Sequence, residues 1–80
     1  MGKLPRPSGK DMVRFLERQG FVVLRIRGSH HFLERGDRRT SVPVHANDPL
    51  KIGTLRAILR DIDLSPADFE RRYRSKPTAA

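Results

Sequence analysis

The stretch R-G-S-H-H-F-L-E-R-G, residues 27–36, concentrates the proton-transfer chemistry of the chain. It holds two of the three histidines, His30 and His31, side by side. An imidazole titrating near neutrality can give or take a proton at physiological pH. Cleavage of an RNA phosphodiester asks for little more, because its nucleophile is the ribose 2′-hydroxyl. One group must remove that proton, one must protonate the leaving oxygen, and positive groups must stabilise the phosphorane. Gly28 has no Cβ and permits close backbone approach. Arg25 and Arg27 present planar forks suited to phosphate. The same residues are also compatible with an ordinary turn flanked by surface histidines.

Metal chemistry is less favoured. Adjacent strand residues point to opposite faces, so His30 and His31 cannot share one ion without a bulge. The chain has no Cys, and His45 is the one remaining imidazole. Zinc usually takes three or four ligands of suitable type. Neither a metal nor a cofactor is expected. Ser29 beside His30 does not make a triad, and no G-x-S-x-G elbow is present. The Gly-containing turn has the wrong spacing and no Lys for a nucleotide-binding loop. Gly53 and Thr54 fall near a helix start, where N–H groups can hold phosphate; packing against the sheet explains that Gly equally well.

The elements that must position these groups are legible. Pro5 and Pro7 make residues 1–7 an extended lead-in. Ser8 and Asp11 form a capping signal for a helix over 9–19, with Met12, Phe15 and Leu16 on its apolar face. Alternation predicts a strand over 21–27, with Val22, Leu24 and Ile26 on one face and Phe21, Val23, Arg25 and Arg27 on the other. A turn at 28–29 leads to a strand over 30–35, in which one of Phe32 and Leu33 belongs to the core. A Gly-Asp turn leads to a third strand over 39–45; Pro43 cannot donate to a ladder, so this strand is at an edge or pairs on its other side there. Asp48-Pro49 is read as the start signal of a helix over 51–61, built on Ile52, Leu55, Ile58, Leu59 and Ile62. Arg56 and Arg60 share its outer face. Ser65 and Pro66 restart a helix over 66–73, with Phe69 and Tyr73 as core, and residues 75–80 form a flexible tail. The order α-β-β-β-α(-α) implies an α+β fold: one three-stranded antiparallel sheet, helices on one face, and the other face free for solvent or a ligand. Residues 1–80 are read as one domain.

Charge narrows the partner. Seventeen Lys and Arg against nine Asp and Glu give a net charge of +8. Thirteen of the seventeen are Arg, and residues 1–45 carry ten basic against four acidic groups. Such a field favours polyanions, nucleic acid first. Arg25, Arg27, Arg38 and Arg39, with Ser29 in the turn, are the candidate phosphate contacts; such contacts position a nucleic acid without reading its sequence. A chain of 80 residues encloses no large substrate cleft. No apolar run approaches the ~20 residues of a membrane span, and the basic N-terminus lacks the apolar core of a signal peptide. With no Cys, a reducing cytoplasm fits. A non-catalytic RNA-binding module, or a DNA-binding regulator using Arg56 and Arg60, remains open on charge alone.

L-E-R-Q-G-F at 16–21, R-G-S-H-H-F at 27–32, V-P-V-H at 42–45 and K-I-G-T-L-R-A-I-L-R-D-I-D-L-S at 51–65 together resemble the HicA (YcfA-like) family of bacterial toxins. The resemblance runs from Lys3 to Tyr73. It implies a fold similar to a double-stranded-RNA-binding domain. It implies a toxin that cleaves mRNA without the ribosome and arrests growth. Its partner would be a HicB-like antitoxin covering the active face, giving a hetero-oligomer from a toxin that is monomeric when free. It implies no metal or other cofactor, and a bacterial cytoplasmic setting. Gly28 and His30 correspond to the family's functional Gly and His. His31 and His45 receive no role.

Overall fold

A computed structural model describes residues 4–75. Six elements follow in the order α1 (Gly9–Arg18), β1 (Val22–Arg27), β2 (His30–Arg35), β3 (Arg38–Pro43), α2 (Ile52–Asp61) and α3 (Pro66–Arg74). The expected lead-in and tail lie partly outside the described residues.

Helix α1 begins where its sequence says. The Asp11 N–H donates to Ser8 Oγ at 3.1 Å, and Asp11 sits in the first turn, where the helix dipole favours a negative charge. The buried face carries Met12, Phe15 and Leu16, each at 0% exposure. The helix passes very close to β3 at Gly9: a Cβ there would lie 2.1 Å from the carbonyl oxygen of Pro43. Only a glycine permits that approach.

The strands form one antiparallel sheet in the order β1-β2-β3. Gly28 turns the first hairpin with φ +57°, while Ser29 after it keeps a negative φ. Positive φ at the first central residue alone is the type II′ pattern, which matches strand twist. Leu33, Thr40 and Val42 are buried beneath the helices, so this face of the sheet is the core face. Of the Phe32–Leu33 pair, Leu33 is the core residue.

The alternation expected for β1 does not hold. Register passes from Val23↔Leu33 directly to Arg25↔Phe32, leaving Leu24 in a bulge. A bulge inserts one unpaired residue and switches the faces beyond it. Val23 therefore shares the core face with Leu33, while Val22 shares the opposite face with Arg25 and Arg27. Val22, Leu24 and Ile26 do not form a buried stripe: they are 61%, 53% and 57% exposed. The strand lies at the sheet edge, where only Val23 packs against the core.

Two boundaries also differ from expectation. Strand β3 ends at Pro43, although the Val44 N–H still donates to the Ser29 carbonyl at 2.7 Å. Asp48 and Pro49 do not cap α2. Its N-cap is Lys51, which provides no side-chain hydrogen bond. Asp48 instead closes a turn onto the His45 carbonyl at 3.0 Å, and Pro49 bridges to Ser8. The Leu50 N–H donates to the Pro7 carbonyl at 2.8 Å, so the lead-in is tied to the loop before α2. Helix α3 is capped as expected: the Asp68 N–H donates to Ser65 Oγ at 3.1 Å. It seats Phe69 edge-on against Phe15, ring centroids 5.0 Å apart, and half-buried Tyr73 completes this cluster. Burial raises the Tyr73 hydroxyl above its ordinary pKa of 10.0, and the nearby Asp11 carboxylate adds to the shift.

Candidate active face

Residues opposite one another on an antiparallel ladder share a face. Three successive rungs define the face turned away from the helices: Arg27–His30–Pro43, Arg25–Phe32–Ser41, and Val22–Glu34–Arg39. The fold thus gathers His30, Arg25, Arg27 and Arg39, from three strands, on one open surface. The bulge at Leu24 is what brings Arg25 and Arg27 there. Without it, strict alternation would keep them on the face of Val23 and the core.

His30 is exposed, and its ring centroid lies 6.5 Å from that of Phe32. The Arg25 guanidinium sits over the Phe32 ring, 5.1 Å from its centroid. Arg39 pairs with Glu34 at 2.8 Å yet keeps 76% of its side chain exposed. Among the described residues no carboxylate pairs with Arg25 or Arg27. The face is therefore cationic around Phe32, with Arg25 on its rung and Arg27 and Arg39 on the rungs to either side, and the guanidinium groups of Arg25 and Arg27 are available to an anion. A groove of about 470 Å³ runs past Arg25, Phe32, Arg39 and Ser41. A second, of about 410 Å³, joins His30, Ser41 and Pro43 to Thr54, Ala57 and Asp61 of α2. In this wall the Thr40 hydroxyl donates to Asp61 Oδ2 at 3.0 Å and fixes the carboxylate.

The remaining expected site residues are placed differently. Arg38 follows the opposite alternation from Arg39. It lies on the helix side, 3.4 Å from the Asp63 carboxylate, and does not join His30. Ser29 is half-buried in the turn and contributes its carbonyl to Val44. Gly28, beside His30's rung, has nothing within 4 Å of where a Cβ would stand. His31 points to the helix side with Val42, and its Nδ1 is buried without a hydrogen-bond partner. His45 lies beyond β3, beside a separate cavity of about 320 Å³ with Asp48, Lys51 and Thr54. Among the described residues no three His, Cys, Asp or Glu side chains cluster as metal ligands. Sequence reasoning missed Phe32 and Ser41 as members of the face. Parity with His30 could have found Phe32; the contribution of α2 has no local signal.

A small basic α+β domain results, with its helices on one side of a three-stranded sheet and one exposed imidazole among arginines on the other. Residues 9–64 match the family described as the HicA toxin of bacterial toxin–antitoxin, and the chain belongs to that family. No curated protein gives a significant match to the chain. Among the described residues no helix is long and apolar enough to cross a membrane.

Proposed function

We propose that the protein is an endoribonuclease toxin that cleaves mRNA on the open sheet face, with His30 as the proton-transfer group and no metal in the reaction. HicA toxins are in general RNase toxins, and this supports the reading. The observation that carries it is the convergence of His30, Arg25, Arg27 and Arg39 on one exposed surface. The ribose 2′-oxygen attacks the adjacent phosphorus and its proton passes to a base. The bond to the 5′-oxygen breaks, and that oxygen takes up a proton. The products are a 2′,3′-cyclic phosphate and a 5′-hydroxyl. His30 serves one of the two transfers. Arg25, Arg27 and Arg39 hold the backbone and offset the phosphorane charge. Gly28 orients the turn that presents His30.

Membership of a toxin–antitoxin family implies an antitoxin. It would neutralise the toxin by covering this face with acidic groups complementary to the unpaired arginines, a HicB-like protein in a bacterial cytoplasm. The free toxin, on this reading, is a monomer. The test is cleavage of mRNA by wild type and by His30→Ala. His30 is exposed, so the variant should fold normally by circular dichroism. Its cleavage rate should fall by a factor on the order of 10²–10⁴. A variant that binds RNA and cleaves at the wild-type rate removes His30 from the chemistry. A wild type that binds but never cleaves makes the domain an RNA-binding module only.

A further inference from the structure

Phe32 is the largest apolar side chain on this face, which otherwise carries arginines, His30, Ser41, Glu34 and the smaller Val22 and Pro43. Helices α1 and α2 pack on the other face, and Leu33 fills the core position beside it. Phe32 is half-buried and holds the middle rung, between Arg25 on β1 and Ser41 on β3. The His30 ring lies 6.5 Å away, within one nucleotide's reach. A groove of about 470 Å³ opens over it, with Arg25 and Arg39 on its walls.

From this arrangement we propose that Phe32 is a stacking platform for an unpaired nucleobase, and that the face therefore takes single-stranded rather than duplex RNA. An aromatic ring flanked by cations on an open sheet is the usual means of holding a single strand, because every base has a π-face. A base inside a duplex is stacked on its neighbours and cannot reach the ring. The Arg25 guanidinium now over the ring is no obstacle. An exposed cation–π contact contributes only a few-fold in affinity, and a stacked base about tenfold or more. Arg25 would swing to the flanking phosphate or stack on the far side of the base. With the base fixed at Phe32, an adjoining ribose lies over His30. The inference rests on the reading of this face as an RNA-cleaving surface.

The chain contains no Trp, so Phe32→Trp installs a single fluorescent reporter at the position in question. In a His30→Ala background, which slows turnover, oligouridylate should quench this fluorescence saturably. An RNA duplex of equal length at the same salt should leave it nearly unchanged. Fluorescence anisotropy of labelled RNA reports binding separately. A Phe32→Leu variant, checked for folding by circular dichroism, should lose on the order of tenfold in single-strand affinity. Its duplex affinity should not change. RNA that binds by anisotropy without quenching, together with unchanged affinity in Phe32→Leu, overturns the stacking role and leaves the proton-transfer reading intact. Equal quenching by duplex overturns the single-strand assignment. No RNA binding by any variant or by wild type overturns both readings.

Discussion

Replacement of Gly28 separates two reasons for a glycine that sequence cannot separate. One is conformation: φ at Gly28 is +57°. The other is room for an RNA backbone, since nothing lies within 4 Å of the place a Cβ would occupy. The open surroundings mean that Gly28→Ala meets no steric clash in the free protein. Its whole cost is therefore backbone strain, about 1–3 kcal/mol for an L-residue held in a sparsely populated region. That is a drop of roughly 5- to 150-fold in the folded-to-unfolded ratio, measurable by urea denaturation as a lower midpoint with an unchanged slope. A chain of 80 residues is within reach of chemical synthesis, so D-Ala can be placed at the same position. D-Ala prefers positive φ and should restore or exceed wild-type stability. The D-methyl replaces the other α-hydrogen, so the side on which an L-residue's Cβ would stand stays clear. If the turn's conformation is what matters, D-Ala restores cleavage together with stability. A D-Ala variant that is stable but inactive shows that RNA approaches on the side of its methyl. Equal destabilisation by L-Ala and D-Ala would refute the conformational account of this turn.

Gly9→Ala should destabilise the protein by about 1–3 kcal/mol, although Ala is the better helix former by about 1 kcal/mol, because the added Cβ meets the Pro43 carbonyl at 2.1 Å. Denaturant midpoints above wild type would refute that. Leu33→Ala removes a side chain only 1% exposed and should cost about 2–5 kcal/mol by the same measurement. Arg27→Ala should reduce the slope of log affinity for single-stranded RNA against log salt by about 0.7, the share of one phosphate contact; an unchanged slope places Arg27 off the RNA path. Tyr73 is the sole tyrosine, so its ultraviolet titration is clean and should have a midpoint above 10.0. Raised in the folded state, its pKa contributes stability that is full below pH 10.0 and lost as pH rises towards the folded value. A midpoint at or below 10.0 would refute burial as the dominant influence on this hydroxyl.

Local signals carried far along this chain. Ser8 with Asp11, and Ser65 with Pro66 and Asp68, start helices through contacts within three residues, so α1 and α3 begin where their caps say. Glycine at the first turn position set the first hairpin at residues 28–29. Asp48-Pro49 has the residue types of a helix start, yet α2 begins later. Its preceding loop is held by long-range partners, Pro7 and Ser8, that no window of neighbours contains.

The candidate site divides along the same line. From alternation alone, His30 and His31 belong to opposite faces, and Arg38 and Arg39 cannot both flank His30. Which face is open depended on tertiary structure: the helices cover Leu33, Thr40 and Val42 and leave Phe32 and His30 outside. The bulge at Leu24 was decided there as well. A strand read by itself keeps period two, and only pairing with β2 shows that Arg25, not Leu24, stands opposite Phe32. Residue types, caps and turns act over a few bonds and are therefore written in the sequence. Register, bulge and the choice of face are properties of strands meeting strands and helices, and the arginine-lined surface around His30 exists only once they have met.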